Sequence, residues 1–328
     1  MFHDPVPVGI IILKNRLVMP PMHTNLSNLG HVTDDLVQYY LDRAKFSQPG
    51  LIITEHCCIS EDGRASRNQL SIAEDGLIEE HRRITDAVHS SGSRIFIQLN
   101  HAGSSAEPLT EAERTSAWMI PNPRKPNLPP PRPLSADEII NLELLFARAA
   151  VRSLSAGYDG IEIHCAHGYL LNQFYSPITN GRPDIYGPDT LENRLRFLME
   201  TVILVRKSIG MDTPLAVRLG GADYLPGGST EEDAVSACVL LEKAGVDLLD
   251  ISGGMCGYIR PGHSEAGYFS SMTEKIKAAV SVPVMLTGGV NTPEEAEQLL
   301  YEGKADLIGV GRALFHDAHW RDSSRMIS

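Results

Sequence analysis

The stretch VPVMLTGGVNTPEEAEQLLY, residues 282–301, reads as one strand, one turn and one helix. Its first residues form a nearly unbroken apolar run, as in a strand covered on both faces. Gly288-Gly289 ends that run. Thr292-Pro293-Glu294-Glu295 then places a capping threonine, a proline at the first helical position and a glutamate at the third, which together start a helix.

The same unit recurs along the chain. Short apolar runs at 16–22, 51–56, 94–100, 160–165, 215–220, 248–253, 282–288 and 306–312 alternate with amphipathic helical patterns at 33–47, 77–91, 136–156, 191–209, 230–244 and 293–301. Gly157, Gly245 and Gly303 follow three of those helices, where a left-handed residue is wanted. Eight strands interleaved with helices predict an α/β fold, a closed (β/α)8 TIM barrel, over an open doubly wound sheet. Its 328 residues suit one such barrel, so a single domain over 1–328 is expected.

Composition narrows function. Apolar residues make up 42% and charged residues 21%, enough for a substantial core. A formal charge of −12 argues against nucleic acid and anionic membranes as partners. Five cysteines with no Cys-x-x-Cys pair suggest neither a disulfide framework nor a thiolate metal site. With no leader-like N-terminus and no long apolar run, a cytoplasmic protein is expected. A homo-oligomer, dimer or tetramer, is also expected. The segment 121–133, PNPRKPNLPPPRP, is too rich in proline for helix or central strand. The whole loop, about 117–134, follows the third strand and is expected at the barrel mouth as a partial lid.

Barrel active sites collect where strands end, so the residues there are the candidates. His164, His167 and Tyr169 follow the fourth run and put two imidazoles and a phenol on one rim. Such a group can hold a carbonyl oxygen and deliver a proton. The same spacing also suits polar packing or half a metal site, although no third ligand is evident. Gly288, Gly289, Gly311 and Arg312 end the seventh and eighth runs, where barrels commonly hold a phosphate. Arg218, inside the mouth, needs an anionic partner, either a carboxylate or an electron-rich cofactor ring.

The segment DGIEIHCAHGYLLNQFYSPITNGRPDIYGPDTLENRLR, 159–196, closely resembles the signature of the old yellow enzyme family. LKNRLVMPPM (13–22), QLNHAG (98–103), VRL (217–219), TGGV (287–290) and VGRA (310–313) resemble its other motifs in the same order. The resemblance implies FMN and a two-stage cycle in which NADH or NADPH reduces the flavin and an enone then reoxidises it. It implies that His164 and His167 hold the carbonyl oxygen while Tyr169 protonates the α-carbon. Pro21, Met22, His23, Gln98 and Arg218 would meet the flavin ring, and Gly288, Gly289, Gly311 and Arg312 the phosphate. Met22-His23-Thr24 is more similar to the dienoyl-CoA reductase branch, whose members carry an iron–sulfur cluster and further domains. No cysteine cluster follows Trp320-Arg321-Asp322, so electrons are expected directly from the nicotinamide. Tyr186-Gly187-Pro188-Asp189-Thr190 is one residue longer than the run usual after the signature. Oxidative demethylation or NAD(P)H oxidase activity on the same barrel, and a flavin-binding carrier or sensor, stand as alternatives.

Overall fold

The computed structural model describes residues 1–107, 109 and 112–321. Eight parallel strands close into a barrel in sequence order: Leu17–Met19, Leu51–Cys58, Arg94–Asn100, Gly160–Cys165, Leu215–Ala222, Leu248–Gly253, Val284–Thr287 and Leu307–Gly309. The ring is sealed by the eighth strand pairing with the first, Ile308 against Leu17. All eight expected strands are present, with ends that differ by a few residues.

The helices follow their caps. Ser135, Thr230 and Thr292 each accept from the backbone N–H three residues on, and Glu138, Asp233 and Glu295 reciprocate. Gly157, Gly245 and Gly303 take φ values of 91°, 89° and 71°, the left-handed conformation that ends a helix. Sequence periodicity missed three helices, Leu170–Tyr175, Ser270–Lys277 and Arg312–His316. It also missed a hairpin, Val6–Val8 with Ile11–Leu13, which pairs antiparallel.

That hairpin explains how the barrel floor is filled. Val6, Val8 and Leu13 pack with Val18, Leu51, Ile53, Phe96, Ala216, Leu248, Met285 and Leu307 in one apolar cluster. The remaining strand residues, among them Ile97, Ile163, Val217 and Ile251, belong to the larger core shared with the helices. Above the apolar floor the alternating positions become polar: Gln98 pairs in register with Glu162, His164 with Arg218, and Arg218 with Asp250. The barrel is therefore dry at one end and chemically equipped at the other. Among the described residues no helix is long and apolar enough to cross a membrane.

Candidate active site

At the polar end lies a cavity of about 430 Å³, within the range of small-molecule sites. Pro21, Met22, His23, His167, Tyr169, Arg218, Gly288, Gly289, Gly311 and Arg312 all line it. The two remaining candidates sit behind the wall. Gln98 is 1% exposed and its Nε2 donates to Glu162 Oε1 at 2.8 Å; His164 is 2% exposed.

A tight turn creates the rim between the fourth strand and the helix Leu170–Tyr175. His167 and Gly168 both take positive φ, 59° and 73°. For a histidine this conformation costs on the order of 1–2 kcal/mol, so the surroundings must enforce it. They do so through His167 N–H donating to Gly253 O at 3.3 Å and Nε2 lying 2.8 Å from Ser252 Oγ. Beyond the turn, Tyr169 folds back toward the strand. The His164 ring is 5.1 Å from that of His167 and 5.3 Å from that of Tyr169, both edge-on. The Tyr169 hydroxyl makes no hydrogen bond to any described residue.

Electrostatics keeps these groups neutral. Burial, aided by the Arg218 charge, holds the imidazoles of His164 and His167 well below the usual histidine range. Burial also raises the Tyr169 phenol above 10, so it keeps its proton. The two histidines are therefore neutral donors beside a phenolic acid, a set that polarises a carbonyl without placing a full positive charge there.

Beneath them is a buried charge cluster. Arg218 Nε lies 3.0 Å from Asp250 Oδ2, an ion pair whose angle leaves both atoms outside hydrogen-bond geometry. Burial and the nearby Asp250 charge push Glu162 well above the usual carboxylate range. The protonated form of Glu162 is favoured, while Asp250, raised by burial to about 6 against the lowering pull of Arg218, is the carboxylate set against the guanidinium. Of the two partners expected for Arg218, the carboxylate is present as Asp250, and the side chain also lines the cavity.

The opposite wall fits a phosphate-bearing planar ligand. Gly289 takes φ 74°, and a Cβ there would run into Glu265 O, so only glycine admits the backbone approach seen at this rim. A Cβ on Gly288 would press into the Tyr268 ring. Arg312 makes no hydrogen bond or ion pair with any described residue, leaving its fork for an anion. Pro21 and Met22 add apolar surface to the same cavity, with Met22 packed against Gly311. Glycines that admit close backbone approach, an Arg312 side chain unpaired among the described residues, apolar Pro21 and Met22 and the Arg218 guanidinium line one cavity, a set that fits FMN.

Three other groups at the site were not assigned by sequence reasoning. His56 packs between His23 and Tyr169 with tilted rings, centroids 5.3 Å from each, and burial lowers its pKa to about 3. Its position at the end of the second run was the available signal. Tyr258 and Tyr268 come from the connection after the sixth strand, where no periodicity marks them. Arg124 and Lys125 line the cavity from the proline-rich loop, so that loop does reach the mouth.

Comparison with known proteins agrees. A 2-naphthoyl-CoA reductase in complex with 2-naphthoyl-CoA superposes with a TM-score of 0.92 at 25% identity, over 99% of this chain and 52% of that one. An old yellow enzyme homologue from Zymomonas mobilis gives 0.84 at 29% identity, over 99% and 92%. An NADH oxidase of Thermoanaerobacter brockii is 38% identical over 322 residues, covering 95% of this chain and 49% of the relative. The chain thus spans about half the length of the curated relatives it matches. The model of the NADH:flavin oxidoreductase / NADH oxidase family matches residues 1–325, and with this barrel and rim in place the chain belongs to that family of FMN-dependent, NAD(P)H-using oxidoreductases.

Proposed function

We propose that the chain reduces the activated C=C bond of α,β-unsaturated carbonyl compounds with NAD(P)H as the electron source. The observation that carries this reading is the Tyr169 hydroxyl, without a partner among the described residues, beside two neutral histidines in the cavity that Gly288, Gly289 and Gly311 also line. When bound, FMN supplies hydride acceptance from the nicotinamide and hydride donation to the alkene β-carbon. Pro21, Met22, His23 and Arg218 would hold its ring, with Gln98 braced behind through Glu162, and Gly288, Gly289, Gly311 and Arg312 its phosphate.

The chain's own residues do the rest. His167, with His164 packed edge-on behind it, donates to the carbonyl oxygen, where negative charge grows only as the reaction proceeds, so the pair favours the transition state over the bound substrate. Tyr169 gives its phenolic proton to the α-carbon and regains one from solvent. Removing one oxyanion donor of this kind typically costs about 2.7–4 kcal/mol.

The test is anaerobic. The FMN-loaded protein should be yellow, bleach on NADH or NADPH, and recover its colour on adding cyclohexenone. Failure to bind FMN, or bleaching without recovery across a panel of enones and enoyl thioesters, overturns the reading. A second reading, NADH oxidase activity, is favoured by the relative of that name; dioxygen consumption outpacing enone reduction in air would support it.

A further inference from the structure

The cavity is basic in an acidic protein. Its lining includes Arg124, Lys125, Arg218 and Arg312 together with three histidines, and no aspartate or glutamate, while the chain carries a formal charge of −12. Three of the four cations have a partner or an assignment. Arg218 pairs with Asp250, and Lys125 Nζ donates to Glu107 Oε1 at 2.9 Å. Arg312 stands at the phosphate wall. Arg124 remains, with no side-chain hydrogen bond or ion pair to any described residue.

Arg124 is exposed, but its backbone and stem are held in place. Its loop is pinned by the buried Asn122, whose Nδ2 donates to Gly168 O at 2.8 Å and to Ser104 and Ser105 Oγ, while its Oδ1 accepts from Arg124 N at 3.0 Å. The stem then runs over Gly168, where a Cβ would come 2.8 Å from Arg124 Cδ. The guanidinium rests on Gly257, at φ 80°, where a Cβ would overlap Nη1. Its Cζ is 6.0 Å from the Tyr258 ring centroid. Two glycines and one anchored loop thus seat a charged fork at the mouth, beside the turn that carries His167 and Tyr169. Arg124 is close enough to lower the pKa of both side chains.

We propose that Arg124 is a specificity residue that binds a carboxylate or phosphoryl group carried by the electrophilic alkene, so that the preferred acceptors are anionic. The proposal rests on the ene-reductase reading and narrows it. A guanidinium fork suits such groups through paired charge-assisted hydrogen bonds. Arg124 is exposed, so salt screens the pair in part and the preference it confers is modest.

The test separates this claim from the reading beneath it by measuring binding as well as turnover. Acetophenone and 4-acetylbenzoate share a carbonyl, lack a reducible alkene and differ in one carboxylate. Calorimetry on FMN-loaded protein at low salt should show 4-acetylbenzoate binding about two- to fivefold tighter, the scale of one exposed charge pair. In Arg124→Gln that preference should vanish with acetophenone affinity unchanged, and Arg124→Lys should keep part of it.

Stopped-flow then compares cinnamaldehyde with its 4-carboxylate in the oxidative half-reaction, and NADH with NADPH in the reductive one. An effect of Arg124→Gln confined to the carboxylate acceptor supports the proposal. Persistence of the carboxylate preference in Arg124→Gln overturns it. Equal losses for neutral and anionic ligands in both variants, or an effect confined to the nicotinamide half-reaction, also overturn it. If neither cinnamaldehyde is reduced although NADH bleaches the protein, the ene-reductase reading falls while the ketone pair still reports on Arg124.

Discussion

Replacing Glu55 by glutamine should stabilise the folded chain at alkaline pH far more than at acidic pH. Glu55 is fully buried, at a slip in register where the second strand passes from Ile53 to His56. Its Oε2 accepts from Thr24 N–H at 2.5 Å, and its Oε1 has no partner among the described residues. The nearest basic group, His23 Nδ1, is 3.8 Å away and is itself held below the usual histidine pKa by burial. Desolvation therefore dominates and raises the Glu55 carboxyl from 4.5 to about 7. Because the folded pKa lies above the unfolded one, the native state holds a proton that the unfolded chain has released. Stability is lost as pH rises from about 4.5 through 7, and the loss is complete above that. At 1.36 kcal/mol per pKa unit, 2.5 units set a ceiling of ~3.4 kcal/mol. Glutamine keeps an acceptor for Thr24 and cannot ionise. With roughly 2 °C per kcal/mol for a large domain, the advantage of Glu55→Gln should grow by up to about 7 °C between pH 4.5 and pH 8. Thermal unfolding of both proteins, saturated with FMN at a series of pH values, measures it. A difference that stays constant with pH would refute the reasoning. So would one that reverses, which would mean that His23 is protonated and the pair is ionic.

Tyr169→Phe should leave nicotinamide-driven bleaching intact while slowing recovery with an enone by about 10²–10⁴-fold, the usual worth of a positioned acid; single-turnover traces of the two half-reactions decide it. Arg218→Leu strips the partner from buried Asp250 and should destabilise by about 3–5 kcal/mol, with loss of bound FMN, read by denaturant titration and flavin absorbance. Asn122→Ala should loosen the mouth loop at a cost of about 1–3 kcal/mol. Limited proteolysis should then cut within 117–134, and uncut wild-type and mutant loops alike would argue that the anchor is elsewhere. Because His164 and His167 are held neutral, enone affinity should be flat from pH 5 to 8, and a transition near pH 6.5 would show that one of them titrates.

The barrel was readable because each strand and helix carries its own local instructions. The run 94–100 and the helix 191–209 match the structure end to end, and the expected cap residues are the observed ones. What escaped was whatever depends on packing across the sequence. The hairpin of Val6–Val8 and Ile11–Leu13 is too short to show a period, and its role as a plug exists only once eight strands have closed around it. Ser270–Lys277 follows a long irregular connection and begins without a side-chain cap, so no start signal marks it.

The site divides along the same line. His164, His167, Tyr169, Gly288, Gly289, Gly311 and Arg312 stand at strand exits, a position inferable from the run itself. The pairing of Arg218 with Asp250, and the shedding of the Glu162 charge, required knowing that strands three to six lie side by side in register. Charge shows the limit most clearly, because a net value of −12 describes the solvated exterior. The cavity, lined by cations and no carboxylate, has the opposite character, and no sum over the sequence separates the two. An anion approaching this protein meets a repulsive average field and one attractive opening. If Arg124 selects an anionic acceptor, it does so by contact at that opening, and because the side chain is exposed the preference should fall as salt is added.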